Sequence, residues 1–283
     1  MNEREPLLEG TFVKKPLLTP GRALLLVVCS MLLIFGVGFG LSEWIRTKYA
    51  NPDLKAVVLS AELLLLVPEI IFLSWKRISF KQAFRLRPVG WPVLAASVLL
   101  TIGIIPISDA IDRILQNWLV MPASMEELIK ESFRFNNAFY FWLAFLSATV
   151  FAGIFEEMLF RGFFQKAWET YFSPAWAIAV SAVLFAVVHL NPWWLFQILL
   201  LGLLLGYVAF KSDSVIPTIF IHVLNNAIAV IFLKIPDEKL GWYLEGKTVR
   251  WYWLAAGIIL FVGGFQWMME SLKSSNKQMV LED

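Results

Sequence analysis

The chain has 283 residues, of which 59% are hydrophobic and 16% are charged, and its mean hydropathy is +0.69. Soluble domains are about 45–50% apolar, so the composition excludes an ordinary soluble domain and indicates a polytopic membrane protein. The net charge of +2 is too small to suggest a nucleic-acid partner, and the single cysteine, Cys29, excludes an intramolecular disulfide and a multi-cysteine metal site.

The hydrophobic pattern predicts an all-α fold, a bundle of about eight transmembrane helices in one membrane domain over residues 22–270. Residues 1–21 and 271–283 are expected to form cytoplasmic tails. A span needs about 20 apolar residues. By that measure the predicted spans are 22–42, 55–75, 91–111, 139–165, 174–190, 193–210, 214–233 and 251–269. The pieces 174–190 and 193–210 are short, and Leu190-Asn191-Pro192 between them predicts a tight helical hairpin.

Loop charge predicts the orientation, because cytoplasmic loops carry an excess of Lys and Arg. The segment 76–90 contains five basic residues and no acidic residue, whereas 109–137 contains five acidic and three basic residues. Alternation from these two loops places both termini in the cytoplasm. Within the second segment, Ser124 and Glu127 have capping-box spacing, which predicts a short interfacial helix over 124–136.

Charged residues stand out most strongly within the span 139–165. Glu156, Glu157 and Arg161 lie there in an apolar run, and charges at a helix centre cost roughly 2.5–3.5 kcal/mol each on insertion scales. Glu157 and Arg161 have i,i+4 spacing, which favours an ion pair. Adjacent helical residues point about 100° apart, so one glutamate can face a cavity while the other pairs with Arg161. The pattern leaves open which of the two does so.

Two later spans contain the chain's two histidines, His189 and His222. His222 and Asn226 share a helix face because they are four residues apart. From the helix rise of about 1.5 Å per residue, Glu156, His189, His222 and Asn226 fall into one slab of the membrane. Another intramembrane carboxylate, Glu69 after Pro68, is expected to be a satisfied group at a helix kink rather than a cavity residue.

This set of side chains is suited to hydrolysis by activated water. A carboxylate in an apolar pocket can act as a general base, with a histidine that orients the water. A second histidine and an amide N–H can stabilise an oxyanion.

The motifs Glu156-Glu157-x-x-x-Arg161, Phe185-x-x-x-His189 and His222-x-x-x-Asn226 resemble, in order, those of the CPBP family of CAAX proteases and bacteriocin-processing enzymes. The resemblance covers about residues 139–233. It implies an intramembrane endopeptidase in which Glu156 is the catalytic base, assisted by His189, while His222 and Asn226 form the oxyanion hole. It also implies that Glu157 and Arg161 form a supporting pair.

The resemblance leaves the role of metal open, because the family has been described both as metalloproteases and as glutamate-type proteases. Glu156, His189 and His222 would be the ligands of a zinc ion. The sequence has no H-E-x-x-H motif, so the expectation is a metal-free enzyme without a cofactor.

The expected partners are the lipid bilayer and a membrane-associated protein or peptide substrate. The sequence does not indicate an oligomeric state. The substrate could be a prenylated C-terminus, a leader peptide, a lipid-anchored segment or a bacterial sorting signal. The expected location is a bacterial inner membrane, with the eukaryotic endoplasmic reticulum as the alternative. The alternatives are a non-catalytic scaffold, immunity or regulatory protein of the same family, and a transporter whose carboxylates relay protons.

Overall fold

The computed structural model describes residues 18–48, 61–132, 134–135 and 137–282. The fold is all-α, as predicted, with one short β-hairpin in a loop. Most of the predicted N-terminal tail, and the first part of the predicted span 55–75, lie outside the described residues. The predicted C-terminal tail continues the last helix to Glu282.

The helices are numbered here in chain order. They are α1 (Pro20–Lys48), α2 (Val67–Lys76), α3 (Phe80–Ala83), α4 (Trp91–Leu115), α5 (Ala123–Ser132), α6 (Ala138–Glu169), α7 (Pro174–Val188), α8 (Leu195–Ser212), α9 (Ile216–Phe232) and α10 (Trp251–Glu282). A 3₁₀ turn over Ala61–Leu64 precedes α2, and strands β1 (Leu244–Glu245) and β2 (Thr248–Val249) form an antiparallel hairpin before α10.

Five helices in the described part of the chain are long and apolar enough to cross a membrane. They are Pro20–Ile45, Trp91–Leu115, Ala138–Glu169, Leu195–Ser212 and Trp251–Ser274. Two further apolar helices, Pro174–Val188 and Ile216–Phe232, are shorter, with 15 and 17 residues. The predicted count of about eight spans is therefore not confirmed, although each of these seven helices coincides with a predicted span.

The predicted helical hairpin is formed by α7 and α8, which pack against each other. Ser173 caps the start of α7 by accepting a hydrogen bond from the Trp176 N–H at 3.4 Å. The turn between the helices places Leu190 at a positive φ of 51°. Asn191 Oδ1 then accepts the backbone N–H groups of Trp193 and Trp194, so the turn residues satisfy the start of α8.

The short helix α5 differs from its prediction at the N-terminus. It begins at Ala123, and the Pro122 carbonyl accepts the N–H groups of Met125 and Glu126. Ser124 therefore lies inside the helix and does not stand at its N-cap.

Helix α6 departs from regular α geometry on both sides of the acidic pair. Residues Ser147–Phe151 and Met158–Phe164 form π-helical segments that flank the α-helical segment Ala152–Glu157. Such segments are rare and often lie at functional sites. Here they set the rotation of the intervening segment, and thereby the directions of Glu156 and Glu157.

Candidate active site

A glycine allows α6 and α9 to approach closely at the acidic pair. A Cβ atom added to Gly153 would lie 2.5 Å from Val223 Cγ2 and 3.1 Å from the Val223 backbone nitrogen. Real Cβ atoms essentially never come that close, so only glycine fits between the two helices. The contact brings Glu156 and Glu157 beside His222, which is adjacent to Val223 in α9.

Glu157 is at the centre of a fully buried polar group. Its Oε1 atom lies 2.7 Å from Arg161 Nη1 and 3.0 Å from His222 Nδ1. The Glu157 and Arg161 side chains have no exposed surface, and Arg161 also stacks on the Phe185 ring at 4.0 Å. Of the two glutamates, Glu157 is thus the one that pairs with Arg161. Because the His222 Nδ1 atom faces Glu157, its Nε2 atom is directed to the other glutamate.

Glu156 faces both histidines. Its Oε2 atom lies 3.9 Å from His189 Nε2 and 3.9 Å from His222 Nε2. That atom is buried and has no hydrogen-bond partner among the described residues. A separation of 3.9 Å is too long for a direct hydrogen bond, but it suits an intervening water that contacts all three groups.

His189 ends α7 and is oriented by its own helix. Its Nδ1 atom lies 2.6 Å from the Phe185 carbonyl oxygen, so Nδ1 carries the proton and Nε2 is directed to Glu156. The Phe185 ring packs between the two histidines, with centroids 4.7 Å from His189 and 5.7 Å from His222. Phe185 is 1% exposed. The motif residue that precedes His189 by four positions therefore separates and orients both imidazole rings.

Asn226 is oriented from both sides of its amide. Its Nδ2 atom donates to the Ala148 carbonyl at 3.0 Å, and its Oδ1 atom accepts from Asn225 Nδ2 at 3.3 Å. Ala148 lies in the first π-helical segment of α6. One of the two amide hydrogens of Asn226 is thus used to hold the side chain, and the second remains for a ligand.

A cavity of about 800 Å³ begins at this site. His189, His222 and Asn226 line one part of it, and Glu126 and Lys130 of α5 line another. The wall combines apolar side chains, such as Ile105 and Leu201, with polar ones, among them Asp109, Arg113, Gln197 and Asn225. Neither of the amides, Gln197 and Asn225, is a predicted site residue, since a lone amide in a span is usually a helix-packing group.

Two buried carboxylates, Glu62 and Glu69, precede the site in the chain, and the sequence predicted the environment of only one of them. Glu69 is buried and accepts hydrogen bonds from Ser30 Oγ at 3.1 and 2.9 Å, which confirms that it is a satisfied structural group. Glu62 was not singled out. It interacts electrostatically with Glu156, and its Oε2 atom is buried without a hydrogen-bond partner among the described residues. The position of Glu62 in a predicted apolar span was the one feature of the sequence that could have identified it as a candidate.

The site contains side chains of the kind that bind zinc. Glu156, His189 and His222 are chemically suitable zinc ligands. These three side chains meet around Glu156 Oε2, but within the described ranges no group of three His, Cys, Asp or Glu side chains has the geometry of a metal site.

Comparison with known proteins finds one family that is similar to the segment containing this site. Residues 138–228 match the family model described as type II CAAX prenyl endopeptidase Rce1-like. Comparisons with curated proteins and with solved structures gave no match. The matched range contains Glu156, Glu157, Arg161, His189, His222 and Asn226. Residues 138–228 of this integral membrane protein are therefore similar to the Rce1-like type II CAAX prenyl endopeptidases of the CPBP family.

Proposed function

We propose that the protein is an intramembrane endopeptidase that hydrolyses a peptide bond of a membrane-associated protein or peptide. The observation that carries this proposal is the position of Glu156 Oε2. It is buried, has no partner among the described residues, and lies 3.9 Å from the Nε2 atoms of both histidines. The match of residues 138–228 to a CAAX protease family model supports the same activity.

Glu156 is the general base in this mechanism. A water between Glu156 and His189 loses a proton to the Glu156 carboxylate as its oxygen adds to the scissile carbonyl carbon. His189 orients that water, because its Nδ1–H is fixed by the Phe185 carbonyl and its Nε2 faces Glu156. General-base catalysis of this kind contributes typically about 10²–10⁴ in rate.

His222 and Asn226 stabilise the oxyanion that forms on the carbonyl oxygen. Asn226 contributes the amide hydrogen that Ala148 does not accept. Donation from His222 Nε2 requires a proton on that atom while Nδ1 donates to Glu157, so the ring is doubly protonated at this step. The intermediate collapses when the proton held by Glu156 passes to the leaving amine nitrogen and the C–N bond breaks.

The decisive experiment compares native membranes containing the wild type with membranes containing Glu156→Gln. The substitution keeps the side-chain shape and removes the base. Peptide termini are quantified by mass spectrometry, with Glu69→Gln as the matched control because it removes a buried carboxylate outside the site. A terminus that is lost only in Glu156→Gln identifies the substrate. Identical termini in all three samples would overturn the proposal and favour a non-catalytic role.

A further inference from the structure

One face of α4 forms a wall of the cavity beyond the histidines. Cavity-lining residues recur along it every three or four positions, which is the spacing of one helical face, and they include Ile105, Ser108, Asp109, Asp112 and Gln116. Gln197 Nε2 of α8 donates to the Ser108 hydroxyl at 3.5 Å, so this face is held to the helix that follows His189. Two carboxylates, those of Asp109 and Asp112, border the cavity outside the active site described above.

The Asp112 carboxylate lacks a cation. Asp112 is 6% exposed, and its Oδ2 atom accepts a hydrogen bond from Gln116 Nε2 at 2.6 Å. Asp109, by contrast, pairs with Arg113 at 3.1 Å. Within the described ranges no ion pair reaches Asp112. Buried carboxylates are usually paired with a cation, so the surroundings of Asp112 suit a positive group from outside the chain.

The basic side chains of the cavity wall do not supply that cation, because each of them has a partner elsewhere. Arg113 pairs with Asp109 at 3.1 Å, Lys130 with Glu126 at 2.7 Å and Arg134 with Glu131 at 2.6 Å, while Lys234 lies over the Phe141 ring at 4.6 Å. Of the wall's carboxylates in the described part of the chain, Asp112 is thus the one that has no neutralising partner.

A buried hydroxyl group lies beside these carboxylates. Tyr243, just before β1, is 4% exposed and lines the cavity. Its hydroxyl interacts with the Asp109 carboxylate, but it makes no hydrogen bond of normal geometry with any described residue. Asp109 also interacts electrostatically with Asp112, so it links the two groups. A buried polar group without a partner is costly, and this hydroxyl is therefore available to a ligand in the cavity.

An aromatic surface adjoins the hydroxyl. The Tyr243 ring packs edge-on against Phe232, with centroids 5.3 Å apart, and both residues line the cavity. Aromatic faces attract ammonium and guanidinium groups. An uncompensated carboxylate, an unpartnered hydroxyl and an aromatic ring together provide what a cationic side chain requires.

The position of these groups sets their distance from the active site. Phe232 follows His222 by ten residues in α9, so at about 1.5 Å per residue the two lie about 15 Å apart along the helix axis. An extended peptide advances about 3.3 Å per residue. A substrate side chain beside Phe232 and Tyr243 therefore belongs to a residue about five positions from the scissile bond.

We propose that the cavity contains a cation subsite, which binds a lysine or arginine side chain of the substrate and is formed by Asp109, Asp112, Phe232 and Tyr243. Asp112 supplies the negative charge, and the Tyr243 hydroxyl accepts a further hydrogen bond. That the bound cation belongs to a cleaved peptide rests on the proposed function, whereas binding of the cation does not. The subsite makes the hydrolytic centre selective for a peptide with a basic residue at a fixed distance from the cleaved bond.

A pair of peptides tests the cation subsite. A decapeptide of leucine and alanine with one central arginine is compared with the same peptide carrying citrulline, which has nearly the same shape and no charge. Binding is measured to the full chain with Glu156→Gln in nanodiscs of zwitterionic lipid, so that no peptide is cut, with empty nanodiscs as the blank. Arginine is expected to bind about 10- to 100-fold more tightly, the range for a hydrogen-bonded charged group. Equal affinity of the two peptides, or no binding of either, overturns the proposal.

Variants of the wall assign that preference to the subsite. Asp112→Asn keeps the side-chain shape and removes the charge, so the arginine peptide should lose about 10- to 100-fold in affinity while the citrulline peptide changes little. The matched control is Glu126→Gln, which alters another wall carboxylate that is already paired with Lys130 and should keep the preference. A preference that survives in Asp112→Asn overturns the proposal. If Asp112→Asn loses both peptides, Tyr243→Phe decides, since wild-type affinity for arginine in that variant would overturn the subsite.

Cleavage products test the subsite in the membrane. Termini that depend on Glu156 should have Lys or Arg about five positions from the cleaved bond, and Asp112→Asn should reduce them while Glu126→Gln does not. Termini that depend on Glu156 but have no basic residue at a fixed distance overturn the proposal. If no terminus depends on Glu156, the proposed function fails, whereas the comparison of arginine and citrulline peptides still decides whether the subsite exists.

Discussion

Glu157 and His222 are joined by a contact of 3.0 Å between Oε1 and Nδ1, and both side chains are almost fully buried. This contact separates the roles of two adjacent glutamates. Glu157 fixes an imidazole and a guanidinium in place, whereas Glu156 keeps a buried oxygen atom without a hydrogen-bond partner among the described residues, beside the two histidines that line the cavity. The chemistry assigned to Glu156 therefore depends on the rigidity supplied by Glu157.

Substitution of the buried guanidinium should destabilise the fold. Arg161→Met removes the partner of Glu157 and leaves a buried carboxylate without its cation, which typically costs about 3–5 kcal/mol. The double variant Glu157→Leu/Arg161→Met removes both charges and should recover a large part of that stability without recovering activity. Thermal unfolding in detergent measures the difference. Equal stability of the single variant and the wild type would contradict the structural role.

Glu156 and the two histidines should each be needed for cleavage. Glu156→Gln and His189→Ala are expected to lower the cleavage rate by about 10²–10⁴, the range for loss of general acid–base catalysis. His222→Ala is expected to lower it by about 10²–10³, the range for loss of an oxyanion donor. The amount of folded protein should remain close to that of the wild type. Turnover is measured on the terminus identified in native membranes, with Glu69→Gln as the control. Wild-type turnover in Glu156→Gln would remove Glu156 as the base.

Asn226→Ala should leave residual activity. It removes one of two oxyanion donors, and loss of one such donor typically lowers kcat by about 10²–10³. The effect should fall on kcat with little change in KM, because the donor acts on charge that develops during the reaction. A rise in KM at constant kcat would instead show that Asn226 binds the substrate in its ground state.

The close approach of α6 and α9 can be tested at Gly153. Gly153→Ala places a methyl group 2.5 Å from Val223 Cγ2, so the helices must separate and carry Glu156 away from His222. Activity should fall sharply. Adding Val223→Ala removes the nearest atom and should restore part of the activity, since the Val223 backbone nitrogen remains 3.1 Å away. No rescue would indicate a defect other than this contact.

Chelators should not inhibit the enzyme if the metal-free mechanism holds. Purified protein is dialysed against a strong zinc chelator, and turnover and bound metal are measured on the same sample. We expect unchanged turnover. Loss of activity that is restored by added zinc would replace this mechanism with one in which Glu156, His189 and His222 are ligands.

Much of the site could be predicted because membrane-embedded charges are rare and helix spacing is regular. The i,i+4 relations of Glu157 with Arg161 and of His222 with Asn226 place these residues on shared faces, and the helix rise places all the groups at one depth. Which glutamate faces the cavity could not be predicted. The π-helical segments on either side of Glu156 change the helix rotation, and no residue type in the sequence marks them.

The positions of Glu62 and Asn225 beside site residues could not be predicted from the sequence either. Glu62 is close to Glu156 only because the 3₁₀ turn Ala61–Leu64 packs on α6, which is a contact between segments far apart in the chain. Asn225 Nδ2 donates a hydrogen bond to the Oδ1 atom of its neighbour Asn226 at 3.3 Å. The number of spans could not be predicted from the hydrophobic pattern either, because a hydropathy window cannot distinguish a full span from a helix of 15 residues such as α7.

The two π-helical segments make residue count, and not only residue identity, a determinant of the site. Deletion of one residue from Ser147–Phe151 would convert that turn to regular α-helix and rotate everything beyond it by about 100° relative to the start of α6. Glu156 and Glu157 would remain neighbours in an intact motif, yet their directions relative to the Ala148 carbonyl would change. A homologue can therefore carry every motif residue and still lack a working centre if the spacing that precedes the motif is one residue shorter.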